Sequence, residues 1–225
     1  MTPRFAAFLR LDGRPCVVVG GGPVATRKAE ALLACGAQVR LVAPTASPAA
    51  RALAATGRLC WHTRSYSQAD LDGAFLVIAA TDDARVNAQV AADARARRVL
   101  VARADGGDDG DFESGAVARR GDLQVAITTT GRAPAFAAWL RERIEALLDG
   151  YAPLFDLAAD VRPSVTGDTS RVSGAAWHAA LDAAALLLAA GDSAGARRTL
   201  LDRLQTPRGA TASGAAVTPT TDTGG

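Results

Sequence analysis

Short unbroken apolar runs alternate with longer segments of helical periodicity through the first half of the chain. A run of this kind without polar interruptions is typical of a strand buried on both faces of a parallel sheet. The pattern predicts strands over 15–20, 38–43, 59–62, 75–80 and 99–102. It predicts helices over 24–35, 47–56 and 84–97, with a helical turn at 68–71. Strands joined in this way by crossover helices indicate an α/β fold with a parallel sheet.

The pattern changes in the second half. Residues 123–127 alternate as a strand does, and Pro134 introduces an amphipathic helix over 133–148. A more polar stretch follows, and then two helices rich in Ala and Leu over 174–190 and 193–204. From Thr206 the sequence offers nothing to build a core, which predicts disorder. We therefore divide the chain into an α/β domain (1–114), a central segment (115–150), a helical domain (151–205) and a tail (206–225).

Composition narrows the function classes. The 225 residues are 49% hydrophobic, which suits one large domain or two small ones. With 25 basic and 23 acidic residues, the net charge of +2 gives no field that would attract nucleic acid or an anionic membrane. No apolar run reaches the roughly 18 residues of a membrane span, and residues 1–10 do not read as a secretory signal. A soluble, cytosolic protein with no nucleic-acid or membrane partner is expected.

The three cysteines and two histidines are too few and too scattered for a disulfide framework or a zinc cluster. Cys16 and Cys35 lie in apolar runs and are expected to be core thiols, while Cys60 stands apart from both. No stored metal is expected. The chemistry must therefore come from carboxylates, hydroxyls, arginines, backbone amides or a bound cofactor.

A glycine-rich turn follows the first predicted strand. It reads Gly20-Gly21-Gly22-Pro23-Val24-Ala25 and fits the pattern G-x-G-x-x-A. In a dinucleotide-binding turn the first glycine permits the tight bend, the second admits a pyrophosphate, and the small last residue lets helix and strand pack closely. The helix start supplies its dipole and its free amides to the phosphates. A Rossmann-like, dinucleotide-binding sheet is the favoured interpretation, and a merely structural glycine turn is the alternative.

The usual acidic partner of the cofactor ribose is missing, since the second strand ends in Ala43-Pro44-Thr45. No arginine cluster replaces it, so these residues do not decide between NAD and NADP. A further candidate contact, Thr81-Asp82, follows the strongest predicted strand at the ligand-binding edge of the sheet, where Asp82 or Asp83 could equally cap the next helix. The candidate cofactor contacts are Gly20, Gly21, Gly22, Pro23, Val24, Ala43, Pro44, Thr45, Thr81, Asp82 and Ala102.

A carboxylate-rich loop follows the fifth predicted strand at the same edge of the sheet. Asp105 could face a substrate that lies over the cofactor and accept the proton released when a hydride leaves. The alternative is a solvated acidic turn, which is the interpretation we prefer for Asp108 and Asp109.

These segments together resemble the dehydrogenase/ferrochelatase module of siroheme synthase. The resemblance covers residues 5–148 and is more loosely continued beyond. It rests on four segments: Phe8-Leu9-Arg10-Leu11, Val18-Val19-Gly20-Gly21-Gly22-Pro23-Val24-Ala25-Thr26-Arg27-Lys28, Val42-Ala43-Pro44, and residues 72–83 with Asn87.

The resemblance implies an NAD-dependent homodimer that oxidises precorrin-2 to sirohydrochlorin and in many members also inserts ferrous iron, which is then a substrate. It implies an NAD-binding domain, a central dimerisation segment and a small helical domain. It also implies a catalytic aspartate after the fifth strand, which matches Asp105.

Departures from the family pattern cluster where the tetrapyrrole would lie. The family sequence Asn-Val-Val-Asp is Ala102-Arg103-Ala104-Asp105 here, and the turn Ser-Thr-Gly-Gly-x-Ser-Pro is the segment 128–134. A third departure lies over 110–116. These departures bear on metal insertion more than on NAD binding.

A substrate with eight carboxylates needs local positive charge, which arginines can supply through bidentate contacts. The candidate substrate contacts are Arg103, Arg119, Arg120, Thr129 and Arg132. Three hypotheses stay open at this point: a bifunctional dehydrogenase and chelatase, a dehydrogenase without chelatase activity, and a non-catalytic protein that binds dinucleotide or tetrapyrrole.

Overall fold

The structure is a computed structural model that describes residues 4–107, 109–165 and 172–205. The predicted tail over 206–225 lies outside the described residues. The chain divides into two compact units. The first comprises Met1–Ala116 and Ile127–Ala138, and the second comprises Val117–Ala126 and Trp139–Gly225. The domain boundaries drawn from the sequence stay predictions.

The first unit contains a five-stranded parallel sheet in the order β3-β2-β1-β4-β5. Its strands are β1 (Pro15–Val19), β2 (Gln38–Val42), β3 (Cys60–His62), β4 (Leu76–Ala79) and β5 (Leu100–Arg103). Its helices are α1 (Pro23–Ala34), α2 (Pro48–Ala55) and α3 (Ala84–Ala96), with a 3₁₀ turn at Gln68–Leu71. The predicted Rossmann-like α/β fold is confirmed, and each of these strands and helices of the sheet region is found within about two residues of its expected bounds.

Both faces of the sheet are buried, as the unbroken apolar runs predict. On β1, Cys16 and Val18 point into a core shared with α1 and α2. The alternate residues Val17 and Val19 point into a second core that includes Val90 of α3. Because successive side chains of a strand point to opposite faces, a strand covered on both sides must be apolar at every position.

The order of the strands fixes where a ligand can bind. From β1 the chain runs outward through β2 and β3, and then returns to the other side of β1 to form β4 and β5. The carboxyl ends of β1 and β4 therefore flank the point at which the winding reverses. In open parallel sheets the crevice outside this point is the ligand-binding position.

After β5, the described residues form a hairpin, three α-helices and a 3₁₀ turn at Arg162–Ser164. The hairpin consists of β6 (Ala116–Arg120) and β7 (Leu123–Ile127), and the helices are α4 (Pro134–Val161), α5 (Gly174–Ala189) and α6 (Ser193–Gln205). In the second unit the end of α4 packs with α5 and α6 around Val161, Ala184 and Leu200. Over the described ranges, no helix combines the length and apolar character needed to cross a membrane.

The predicted end of the helix at residue 148 is wrong, because α4 continues through Gly150 and Pro153 to Val161. Gly and Pro disfavour a helix interior. Leu154, Leu157 and Val161 nevertheless pack into the helical core of the second unit. This burial outweighs the local propensity, which illustrates how tertiary contacts override a weak sequence preference.

The prediction of two core thiols is correct for Cys16 and wrong for Cys35. Cys16 is buried, as expected, but Cys35 is exposed because it stands at the C-terminal cap of α1, where the helix leaves the sheet. Burial, with a smaller contribution from the nearby Cys35, raises the pKa of the Cys16 thiol to about 11. Cys16 is therefore a protonated, unreactive core residue at neutral pH.

Candidate functional site

The glycine turn lies at the carboxyl end of β1, where two of its glycines are required by close backbone contacts. Gly20 has φ of +123°, and a Cβ there would lie 2.3 Å from the carbonyl oxygen of Ala80. A Cβ on Gly21 would lie 1.9 Å from the carbonyl oxygen of Thr45. These two residues let the turn pass between the segments that follow β4 and β2, as only glycine permits.

Gly22 differs from its neighbours, since a Cβ at this position would meet no heavy atom within 4 Å. It is the N-cap of α1, with φ of −75° and ψ of 179°, and Pro23 follows as the first helical residue. Within the described part of the chain, no side chain caps this helix start. Open space beside free backbone amides and the positive end of a helix dipole fits a diphosphate. The residues present therefore fit a dinucleotide.

Hydrogen bonds brace this turn from the side of α2. The hydroxyl of the buried Thr26 donates to the Gly22 carbonyl oxygen at 2.9 Å and bonds the Ser47 hydroxyl oxygen at 2.8 Å. The Ser47 amide donates to the Gly21 carbonyl oxygen at 2.8 Å. These bonds hold both carbonyl groups toward the protein and fix the shape of the turn. Val24, in the first turn of α1, is 39% exposed.

The segment after β2 forms the next part of the crevice. The Trp61 indole N–H donates to the Ala43 carbonyl oxygen at 3.0 Å, while Pro44 and Thr45 are exposed beside it. Arg64, which follows the adjacent strand β3, is held by Asp70 through two hydrogen bonds of 2.8 and 2.5 Å. The guanidinium of Arg64 is therefore already committed to a carboxylate.

A buried asparagine joins the ends of β4 and β5. Asn87 of α3 is 0% exposed. Its Oδ1 accepts from the Thr81 amide at 3.1 Å and from the Thr81 hydroxyl at 2.8 Å. Its Nδ2 donates to the Thr81 carbonyl oxygen at 3.0 Å and to Asp105 Oδ2 at 3.1 Å. One amide group therefore fixes both the candidate cofactor contact Thr81 and the candidate catalytic residue Asp105.

The two aspartates after Thr81 differ in their surroundings. Asp83 caps α3, because its Oδ1 accepts from the Arg85 amide at 2.8 Å, and the predicted alternative of a cap is confirmed for this residue. Asp82 is exposed at the edge of the sheet and stays a candidate cofactor contact. Ala102 is buried in the core of the sheet, so only its backbone could meet a cofactor.

Asp105 follows β5 at the same edge of the sheet, with its side chain 24% exposed. Both carboxylate oxygens accept from the Arg103 guanidinium, Oδ1 from Nε at 2.9 Å and Oδ2 from Nη2 at 2.7 Å. The hydrogen bonds from Arg103 hold the pKa of Asp105 well below its ordinary value, Asn87 contributes in the same direction, and partial burial opposes them. Asp105 is therefore an ionised carboxylate at neutral pH, partly open to solvent.

Asp109 lies in a turn with its side chain 33% exposed, and it also forms bonds within the protein that the sequence did not predict. Its Oδ1 accepts from Arg103 Nη1 at 2.7 Å, and its backbone oxygen accepts from Arg95. Asp108 lies outside the described residues. The loop after β5 is thus organised around the Arg103 side chain.

The other candidate substrate contacts lie in different parts of the chain. Thr129 belongs to the first unit, where its hydroxyl accepts from the Ala133 amide at 3.2 Å near the start of α4. Arg132, in the same turn, is exposed. Arg119 and Arg120 are exposed in the second unit, and Arg120 pairs with Asp149 at 3.1 Å. Their roles toward a substrate stay predictions.

Two polar residues of this region were not assigned a role from the sequence. Asn87 falls on the buried stripe of α3 with Val90, Ala91 and Ala94, and a polar residue within an apolar stripe is the signal that could have identified it. Lys28 of α1 donates to the Ser114 hydroxyl oxygen at 2.5 Å. Burial, together with the charge of Arg27, lowers the pKa of Lys28.

Across the described residues, no group of three or more His, Cys, Asp or Glu could hold a metal ion.

Replacing Asn87 tests its role as the link between the two strand ends. Asn87→Ala leaves the Thr81 amide, the Thr81 hydroxyl and Asp105 without their buried partner. We expect a loss of about 1–3 kcal/mol in the free energy of unfolding, measured by urea denaturation. Gln89→Ala is the matched control, because Gln89 is exposed on the same helix and its side chain bonds Asp93, at 2.9 Å, and not Thr81 or Asp105. Equal stability of Asn87→Ala and the control would contradict this role.

Two family models match adjacent parts of the chain. Residues 7–116 match the family described as "Putative NAD(P)-binding", and residues 120–147 match "Sirohaem biosynthesis protein central". The first match contains the glycine turn, Thr81, Asn87 and Asp105. The second contains β7 and the first half of α4. The chain therefore carries a nicotinamide-dinucleotide-binding region followed by the central region of a sirohaem biosynthesis protein.

Individual proteins give the same result. Siroheme synthase of Chromobacterium violaceum is 43% identical over 162 residues, which are 72% of this chain and 34% of the relative. Siroheme synthase 1 of Klebsiella pneumoniae subsp. pneumoniae is 39% identical over 204 residues, 89% of this chain and 43% of the relative. The chain thus spans between a third and a half of the length of these curated relatives.

A solved structure, "SirC, precorrin-2 dehydrogenase", superposes with a TM-score of 0.64 at 26% identity and covers 90% of this chain and 99% of that one. The glycine turn, the buried Asn87 link and the carboxylate after β5 thus occur in a chain whose fold and sequence both match this group. The chain belongs to the siroheme synthase family, in the part that comprises its NAD(P)-binding and central regions.

Proposed function

We propose that this chain catalyses the NAD-dependent oxidation of precorrin-2 to sirohydrochlorin. The observation that carries the proposal is the position of Asp105. It lies at the end of β5 and is tied by Asn87 to Thr81 at the end of β4, on the edge of the sheet that also holds the glycine turn. A carboxylate and a dinucleotide turn at one sheet edge are the two parts that a hydride-removing enzyme needs.

Different residues would bind the cofactor and accept the proton. The amides at the start of α1 and the open space at Gly22 would hold the diphosphate. A bound nicotinamide supplies the acceptor for the hydride. Asp105 receives the proton that the macrocycle loses with the hydride, and Asn87 keeps the Asp105 carboxylate in place. Solvent takes the proton from Asp105 afterwards, because its side chain is 24% exposed.

The proposal favours NAD over NADP. An enzyme selective for NADP needs a positive group beside the 2′-phosphate of the adenosine ribose. After β2 the chain offers only Ala43, Pro44 and Thr45, and Arg64 after β3 is already paired with Asp70. Tighter binding of NADP than of NAD in direct titrations would contradict this choice.

The test of the function is anaerobic incubation of the purified protein with precorrin-2 and NAD, following sirohydrochlorin and NADH by absorbance. We expect the two products in equal amounts, well above the rate without protein. Binding of NAD with no turnover would instead support a non-catalytic dinucleotide-binding protein. No binding and no turnover would overturn the proposal.

The proposal is confined to the oxidation step. Metal insertion would bring a ferrous ion close to Asp105, where the Arg103 guanidinium lies 2.7 Å from Oδ2 and repels a cation. Incubating sirohydrochlorin with ferrous or cobaltous ion, without NAD, measures this step separately. A rate well above the rate without protein would extend the function to that of a bifunctional enzyme.

The proposal includes a second copy of this chain as partner. Three large apolar or aromatic side chains of α4 that belong to the second unit are at least half exposed: Trp139, Leu147 and Tyr151. At 100° per residue they fall within an arc of roughly 120° on one side of the helix. Singly exposed apolar residues are ordinary, but a stripe of this kind is typical of an interface. The homodimer implied by the family supplies its occupant.

A charge placed on this stripe should separate the dimer. Leu147 is 57% exposed, and Leu147→Glu would bury a carboxylate in the interface without disturbing the core. We expect the molar mass from light scattering to fall from that of a dimer to that of a monomer. Leu186→Glu is the matched control, because Leu186 is 75% exposed on α5 and lies off the stripe. A dimer that survives Leu147→Glu would assign the interface to another surface.

A further inference from the structure

The Arg103 guanidinium lies between two carboxylates of the loop after β5. Its Nε and Nη2 donate to the two oxygens of Asp105 at 2.9 and 2.7 Å, and its Nη1 donates to Asp109 Oδ1 at 2.7 Å. A bidentate contact of this kind fixes the plane of the carboxylate as well as its position. All three guanidine nitrogens are therefore engaged within the protein.

Packing holds the arginine in this position. Its side chain is only 11% exposed. A Cβ on Gly107 would lie 2.4 Å from Arg103 Cζ, so the backbone of Gly107 lies directly against the guanidinium. Arg95 of α3 bonds the backbone of Asp109 and fixes the far side of the loop. The guanidinium is thus built into the loop and does not extend to meet a ligand.

We propose that Arg103 is a positioning residue, which holds the Asp105 carboxylate oriented and ionised and acts on the reaction through Asp105 without touching the substrate. This inference rests on the proposed function, because it assigns Arg103 a part in the oxidation that Asp105 serves. It also explains a sequence difference, since Arg103 occupies a position at which the family sequence Asn-Val-Val-Asp has an apolar residue.

The charged groups around Asp105 support this role. On β5 the group in contact is Arg103, and on α3 it is the neutral amide of Asn87 at 3.1 Å. Asp109 reaches Asp105 only through Arg103. In the segment before α3, Asp82 is exposed and Asp83 is turned to the Arg85 amide. A single cation therefore dominates, which is why the pKa of Asp105 lies below its ordinary value.

A weakly basic carboxylate suits this oxidation. Departure of the hydride, which carries the electron pair of a C–H bond to the cofactor, leaves the macrocycle positively charged. A positively charged macrocycle is strongly acidic, so it transfers its proton even to a weak base, and charge is balanced when Asp105 becomes neutral. The ionised carboxylate also stabilises the charge that develops before the proton moves. Arg103 keeps Asp105 in the required form as the pH falls.

The test compares Arg103→Ala with Arg103→Lys over a range of pH, using precorrin-2 and NAD. In the wild type, kcat should not fall through protonation of Asp105 as the pH is lowered, because Arg103 keeps that carboxylate ionised. In Arg103→Ala we expect kcat at neutral pH to fall about tenfold or more through lost orientation. Its acidic limb should move up toward the ordinary aspartate pKa of about 4, while KM changes little. Arg103→Lys should restore the acidic limb in part, since it keeps the charge.

A measurement that needs no turnover accompanies the kinetics. Titration of the Asp105 carboxyl carbon by NMR in the free protein should give a pKa below the ordinary aspartate value in the wild type and a higher one in Arg103→Ala. Arg97→Ala is the matched control, because it removes a cation that pairs with the exposed Asp72, and it should change neither profile.

Two outcomes would overturn the inference. One is an increase in KM with kcat and the acidic limb unchanged, which would make Arg103 a substrate contact. The other is an Asp105 that titrates at its ordinary value in the wild type, a result available even if Arg103→Ala does not fold. Absence of turnover in the wild type would refute the proposed function instead, and the titration would still decide the link between Arg103 and Asp105.

Discussion

Asp105→Ala should lose precorrin-2 oxidation while it keeps NAD binding. Removing a proton acceptor from the reacting centre costs roughly 10²–10⁴-fold in rate. The diphosphate contacts at the start of α1 do not involve Asp105, so the Kd for NAD should stay within about threefold of the wild type, under 0.7 kcal/mol. Initial rates of sirohydrochlorin formation and calorimetric titration with NAD measure the two quantities. Arg103 keeps its bond to Asp109 in this variant, so the loop should stay folded.

Asp72→Ala is the control for the loss of one negative charge. Asp72 is 70% exposed and pairs with Arg97 at 3.3 Å, away from the Asn87 link. Its rate should match that of the wild type. A rate in Asp105→Ala within about threefold of the wild type would show that Asp105 is not the proton acceptor of the reaction.

Gly22→Asp should abolish dinucleotide binding without unfolding the protein. A carboxylate about 4 Å from a diphosphate costs about 4 kcal/mol at the effective dielectric of a protein surface, or roughly a thousandfold in Kd. The substitution meets no steric obstacle, because a Cβ at Gly22 has nothing within 4 Å and its φ is −75°. Aspartate is also a favourable N-cap. The melting temperature of the free protein should therefore be unchanged or higher.

Gly174→Asp is the matched control for this substitution. Gly174 is the first residue of α5, and a Cβ there also meets nothing within 4 Å. It places the same charge at the start of another helix and should leave NAD binding unchanged. If Gly22→Asp binds NAD as the wild type does, the start of α1 is not the diphosphate site and the glycine turn serves packing alone.

The two variants separate the two halves of the proposed reaction. Asp105→Ala should bind NAD and fail to turn over, whereas Gly22→Asp should fail at binding, so that turnover is lost even with Asp105 intact. Loss of NAD binding in both variants would indicate that the loop after β5 supports the crevice structurally. That result would weaken the assignment of Asp105 as proton acceptor and would favour a shared structural role.

Local sequence was sufficient to predict elements that are set by apolar burial or by contacts between near neighbours in the chain. The strand β1 and its turn were predicted correctly because a short apolar run rich in valine favours a doubly buried strand, and Gly20 and Gly21 permit the close backbone contacts that follow it. The cap at Asp83 was one of two predicted alternatives, and it depends on atoms only two residues apart. Such features require little knowledge of the rest of the fold.

The sequence did not predict the features that depend on contacts made only in the folded protein. The extension of α4 past Gly150 and Pro153 depends on a helical core that only the folded second unit provides. The pairing of Asp109 with Arg103 depends on how the loop after β5 closes over the guanidinium. In each case tertiary contacts contribute more free energy than the local preference that opposes them.

The sequence by itself determined the parallel sheet, the position of the glycine turn and the placement of Asp105 after the fifth strand. These follow from hydrophobic periodicity and from the rule that parallel strands end at one edge of the sheet. Only the tertiary structure decided that Asn87 links Thr81 to Asp105 and that Arg103 also bonds Asp109. The physical reason is that hydrogen bonds between residues 6 to 18 positions apart depend on backbone positions that no local pattern specifies.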